Sequence, residues 1–261
     1  MDATARFLHN VGAPDDQVDL AEGALALAAH AHRDLDIDAQ RRRLDLLADG
    51  CADASVDGVR QLLFVDLGFT GRSDRYYAPE NSFLDAVLDT RQGIPISLSV
   101  VVMEVGRRVG VPFVGIGMPG HFLARARDEP GRYLDAFHGG AELDRAGCEA
   151  VFRDLAGPKA PFAADYLAPV RPATILGRMV ANLVHAYRRL EDRHGMRWSA
   201  RLRAGCPDVG AGELLQLAQT LAITGALDEA AVLIDRALPV LGTDEADRWS
   251  AEAALLRARL N

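Results

Sequence analysis

Cysteine is scarce in this chain. Cys51, Cys148 and Cys206 are the only three in 261 residues, widely scattered and with no CxxC pair. That spacing excludes a disulfide framework or a zinc site and reads as isolated buried thiols. Positive charge is also in deficit, with 29 Lys and Arg against 37 Asp and Glu and a formal net charge of −8. General nucleic-acid binders and proteins that sit on anionic membranes need a cationic surface, so neither partner is expected. No apolar run approaches the roughly 20 residues that span a bilayer. The opening MDATARFLHNVGAPDDQVDL lacks a basic-then-apolar signal pattern, so the expected location is the cytoplasm. No cofactor is expected. What is present, 49% apolar and 25% charged residues, is the composition of a globular protein with a real core, in one large domain or two modest ones.

Local patterns divide the chain. In VDLAEGALALAAHAHRDL, Leu20, Ala24, Leu27 and Ala28 recur at helical spacing, and Asp19 with Glu22 has the form of a capping box. Further helices are predicted over QRRRLDLLADG, over GVRQLLFVDLGF and over SFLDAVLDTRQG, the last stopping at Gly93. Residues 94–110 follow as a helix that is apolar nearly all round, the pattern of a buried central helix. Pro95 suits its first position, where a missing N–H costs nothing. Three β-like runs come next, at 111–119, 121–127 and 132–137. Asp128-Glu129-Pro130-Gly131 is turn chemistry that predicts a hairpin from the last two.

Pro158, Pro161, Pro169 and Pro172 then punctuate a stretch read as a linker over 158–174, separating a domain at 1–157 from a helical tail at 175–261. In the tail, 175–195 reads as one amphipathic helix. Residues 213–242 read as a helix–turn–helix with small residues at Ala218, Ala230 and Ala237, of tetratricopeptide flavour.

Chemistry concentrates in 93–140: a helix N-terminus, then His121 after a Met-Pro-Gly turn, then Asp135 on the next strand. In papain-type and transglutaminase-type sites, a helix dipole lowers the pKa of a thiol nucleophile. A His takes its proton, and an acid orients that His. The segments GIPISLS (93–99), PGHF (119–122) and LDAFHGG (134–140) strongly resemble the SirB-type transglutaminase-like family, over about residues 18–145. The resemblance implies an α+β fold, papain-like in its core, with a central helix on an antiparallel sheet, a Cys–His–Asp triad and often a tetratricopeptide-like tail. Carried over by position, His121 matches the family's histidine and Asp135 its acid. The cysteine position falls on Pro95, a residue without nucleophile, proton or charge. SirB-type relatives frequently share that proline, which implies a branch with altered or lost acyl transfer.

Several residues carry two readings. Ser97 lies about 200° round the helix from Pro95; it either bonds a free backbone N–H or substitutes as a nucleophile. A symmetric hairpin centred between Glu129 and Pro130 would put His121 and Asp135 on opposite sheet faces, so a dyad predicts a register that pairs 121 with 135. His138 reads as an imidazole at a pocket rim, with a two-His, one-carboxylate metal set as the lesser alternative, so no metal is expected. Asn81 reads as a helix N-cap beside the site, or as a donor to a ligand. Tyr76 and Tyr77 read as wall residues.

Three functions compete. The first is a non-catalytic or regulatory protein whose pocket binds a peptide, a protein or a small amide. The second is a hydrolase or acyl transferase on amide or ester bonds, with His121 oriented by Asp135 as general base and Ser97 or an activated water as nucleophile. The third is a structural module. Whether the protein is an enzyme stays open, with the missing cysteine weighing against it.

Overall fold

The computed structural model describes residues 2–259. They form two compact units, one up to Met179 and one from Val180. The first unit opens with four helices: α1 (Ala3–Val11), α2 (Leu20–Ala28), α3 (Ile37–Asp49) and α4 (Val56–Arg60). Each starts where a short polar side chain accepts a free amide of the first turn: Asp2, Asp19, Asp36 and Ser55. The Asp19–Glu22 bond forms as predicted. Beyond α4 the chain widens into a π-helical turn, Gln61–Asp66, so the predicted third helix changes its winding midway.

Next come β1 (Thr70–Gly71), α5 (Leu84–Thr90) and β2 (Gln92–Gly93), with β1 and β2 paired in parallel. Then follows α6 (Pro95–Val109), the predicted central helix. Its first twelve residues, Pro95 through Gly106, are all buried. Burying a Val, Leu or Ile side chain contributes about 1.5–3 kcal/mol, so this helix anchors the unit. It packs on α3 on one side and on the sheet strands β3 (Phe113–Ile116) and β4 (Leu123–Ala126) on another.

The sheet is completed by β5 (Tyr133–Asp135), β6 (Ala141–Leu143) and β7 (Pro169–Val170), in the order β6-β5-β4-β3-β7, every pair antiparallel. The fold is α+β, as expected. Helix α7 (Arg145–Ala156), capped by Asp144, buries Cys148 and Phe152 against Ile116, Leu123 and Tyr133 of the sheet. The 158–174 stretch is not a free linker. Phe162 and Tyr166 stack on Phe152, Leu167 is buried, and β7 hydrogen-bonds to β3. Proline is tolerated there because β7 is an edge strand.

Helix α8 (Pro172–Arg189) carries the chain into the second unit, where α9 (Arg193–Ala204), α10 (Ala211–Ile223), α11 (Leu227–Ala237) and α12 (Thr243–Ala258) follow. The predicted 175–195 helix is broken because Asp192 caps α9 and Glu191 takes a left-handed conformation. Ala218, Ala230 and Ala237 are all buried in the core of this unit. No helix among the described residues is long and apolar enough to cross a membrane.

Candidate functional site

Five segments of the first unit converge on one cleft of about 560 Å³: the 73–77 loop, the start of α6, the turn before β4, the turn after β5, and the end of α7. That volume lies within the range of small-molecule sites. His121, Phe137, His138, Tyr76 and Pro95 are among its lining residues. Its character is apolar with a polar centre. Tyr77 and Leu155, both on its wall, are 45% and 57% exposed.

The polar centre is built by the hairpin. Gly120, at φ +75°, turns the chain so that His121 enters just ahead of β4. The strands pair Ala124 with Leu134 and Arg125 with Tyr133. This register centres the hairpin on Glu129, neither the symmetric register nor the 121–135 pairing that the sequence suggested. Extended outward, it sets Leu123 beside Asp135. His121, two residues before Leu123, therefore shares the face of Asp135. The His121 Nε2 and Asp135 Oδ2 atoms are 2.8 Å apart, both side chains being buried.

Asp135 serves a second imidazole. His138 Nδ1 lies 2.8 Å from the same Oδ2. The other oxygen, Oδ1, accepts the backbone N–H groups of Phe137 (3.1 Å) and His138 (3.2 Å). The carboxylate thus closes its own turn and draws His138 to the cleft rim, with that side chain 57% exposed. Burial opposes the charge on Asp135. The hydrogen bonds and charge of His121 and then His138 outweigh it and hold this carboxyl below the ordinary carboxylate range. In the neutral His121 imidazole with Nε2 donating to Asp135, Nδ1 is the acceptor nitrogen.

The other wall differs. Pro95 stands at the first position of α6, buried and on the cleft. Ser97 is wholly buried and is not on the lining. Its hydroxyl donates to the Asn81 carbonyl at 2.6 Å and accepts the Ile94 N–H at 3.1 Å. That engagement overturns the nucleophile reading of Ser97 and fulfils the backbone-bonding one. Ser99 is buried too. Asn81 caps no helix and does not face the cleft, because α5 starts from Phe83 without a side-chain cap. Its amide instead donates to the carbonyls of Arg75 (2.6 Å) and Tyr76 (3.3 Å), tying the 75–82 loop in place.

No native thiol substitutes. Burial, with help from Asp144 and Asp135, pushes Cys148 up to about 12, and burial lifts Cys206 to about 11. Cys51 is half-buried, its thiol donating to the Asp53 carbonyl. Sequence reasoning did not find Phe137, Val151, Asp154 or Leu155 on the cleft. Nothing in their sequence spacing marks them as a wall, because α7 reaches the cleft only through the tertiary fold.

Comparison with known proteins points one way. Residues 26–181 match the family model of the transglutaminase-like superfamily. A UPF0162 protein of Xylella fastidiosa is 41% identical over 133 residues, covering 49% of this chain and 47% of the relative. A second, from Pseudomonas aeruginosa, is 35% identical over 173 residues, 63% of each chain. A third, from Vibrio cholerae, is 31% identical over 187 residues, covering 67% of this chain and 69% of the relative. The chain thus spans about half the length of the first of these relatives. No solved structure matches it.

Proposed function

The chain belongs to the transglutaminase-like superfamily, and from that premise we propose that it is a pseudoenzyme of that fold. In this reading the cleft holds a peptide, a protein segment or a small amide without taking it covalently, in a regulatory or assembly role in the cytoplasm. One observation carries the proposal. The His–Asp half of the site is assembled, while the helix N-terminus on the same cleft presents the ring of Pro95. A thioester cannot form there.

The remaining groups suit recognition of an amide. Nδ1 of His121 accepts an amide N–H, while Tyr76, Phe137 and Leu155 offer apolar walls for an aliphatic stem. The amide NMR spectrum of the protein should shift saturably on titration with an N-acetylglutamine-amide peptide, with the largest changes at 76, 121 and 137. Intact mass should stay unchanged, and His121→Ala should weaken the response. An acyl adduct on the wild-type chain, or an unperturbed spectrum, would overturn the proposal.

A second reading keeps one supporting observation. An imidazole oriented by a carboxylate is also the apparatus of a general base. It makes the protein a hydrolase or acyl transferase on amide or ester bonds, with water as nucleophile. Ser97 drops out of that mechanism. Turnover of a p-nitrophenyl ester that His121→Ala abolishes would favour it over simple binding.

A further inference from the structure

We propose that His121, Asp135 and His138 form a binding site for one divalent transition-metal ion of the zinc class, entered from the cleft. The inference shares that cleft with the function proposed above and adds a charged ligand-binding point to it. One donor atom from each of the three side chains lies within 4.8 Å of the other two. Among the described residues, this is the one group of three or more His, Cys, Asp or Glu side chains that comes together in this way. The selection is telling in a chain with 37 acidic residues.

The donor chemistry fits. Two imidazoles and a carboxylate suit zinc and its neighbours, and three protein ligands leave a further position for water or ligand. The spacing is close to what the ion needs. A tetrahedral ion bound at about 2.0–2.1 Å holds its donors roughly 3.3 Å apart. Nε2 of His121 and Nδ1 of His138 each stand 2.8 Å from Oδ2 of Asp135, so each nitrogen needs to draw back from that oxygen by about half an ångström on metal entry. The protons now shared with Oδ2 move to the opposite ring nitrogens, so in the metal-bound form Nδ1 of His121 donates to a ligand, whereas in the metal-free form it accepts.

The surrounding backbone orients the ligands, as hydrogen bonds to ligating carboxylates do in metal sites. Two backbone N–H groups fix Oδ1 of Asp135 and so aim Oδ2 at the imidazoles. His121 and Asp135 are buried and held, while His138 is exposed at the rim. Entry therefore requires a swing of the exposed His138 side chain and a small shift between His121 and Asp135. The short spacing Asp135-x-x-His138, in a turn closed by the aspartate itself, keeps that swing small.

The test uses the metal alone. The full chain, stripped with a chelator and exchanged into clean buffer, is titrated with zinc chloride by calorimetry and with cobalt chloride by visible absorption. One equivalent should bind, with the cobalt band of a four- or five-coordinate site. Ring-nitrogen NMR shifts on zinc addition should fall on His121 and His138. His138→Ala, at an exposed position, should weaken zinc by more than the roughly 10–100-fold that loss of a hydrogen bond to a ligand costs, while His9→Ala leaves it unchanged. Absence of stoichiometric binding, shifts confined to other histidines, or unweakened zinc binding by a folded His138→Ala variant would overturn the site. The peptide titration repeated in chelator separates the two ideas: peptide binding that persists without zinc leaves the cleft reading intact even if the metal site fails.

Discussion

The two halves of the cleft have been treated differently by this sequence. At the hairpin, a buried carboxylate satisfies two imidazoles and two backbone amides, and the His121–Asp135 pair is assembled on the cleft. At the start of α6, the Ser97 hydroxyl has been turned to holding backbone, and the side chain on the cleft is a proline. The contrast teaches that the surviving His–Asp pair is not evidence of surviving thiol chemistry. A fully satisfied buried hydrogen-bonded network rigidifies the structure around it whether or not it does chemistry.

The largest effect should come from breaking the hairpin half. Asp135→Ala leaves His121 and the Phe137 and His138 amides without their acceptor. It should cost about 3–5 kcal/mol in denaturant-induced unfolding, the range for removing one partner of a buried ionic network. The same carboxylate sets a pH window. Its folded-state pKa lies below its unfolded value, so its contribution is fully present above the unfolded value and is lost as pH falls through the folded one. Stability of the wild type should therefore decline on acidification below about pH 4, and Asp135→Asn should flatten that acid limb. An acid limb unchanged in the variant would mean that the two imidazoles do not hold this carboxylate charged.

A smaller loss is expected from the helix half. Ser97→Ala removes a hydroxyl that bridges Asn81 to Ile94. Those two groups retain each other at 3.3 Å, so about 1–2 kcal/mol is the expected cost. The imidazole resonances of His121 should not move, because Ser97 is not on the cleft. If instead they move, or if ester turnover is present and vanishes with Ser97, the two halves are still coupled and the contrast fails.

Much of this was legible in the sequence, and the misses have local causes. The family resemblance, the buried central helix, the hairpin and the small-residue packing of Ala218, Ala230 and Ala237 could all be read from pattern and turn chemistry. The register could not. Asp128 to Gly131 identifies a turn but not its parity. The observed loop is odd, centred on Glu129 and closed with Gly131 at φ +97°, and one residue decides which face Asp135 occupies. Asn81 was misread because an Asn before a helix resembles a cap, and only tertiary structure showed its amide turned back to the 75–76 carbonyls. The 158–174 stretch was misread because prolines mark an edge strand as readily as a linker.

The smallest expected change in stability carries the sharpest chemical consequence. Pro95→Cys loses only the stiffening that proline gives the unfolded chain, about 0.4–1 kcal/mol, since the first helical position needs no N–H partner. It also restores a sulfur where the dipole of α6 favours a thiolate, on a cleft shared with His121. Iodoacetamide at neutral pH should therefore alkylate the new thiol well ahead of Cys148, whose burial keeps it protonated up to about pH 12. Adding His121→Ala to the variant should slow that reaction if the imidazole still serves the helix terminus. Equal reactivity with and without His121 would show that the two halves have drifted apart in geometry as well as in chemistry. Dependence on His121 would show that a single side chain separates this cleft from a working thiol site.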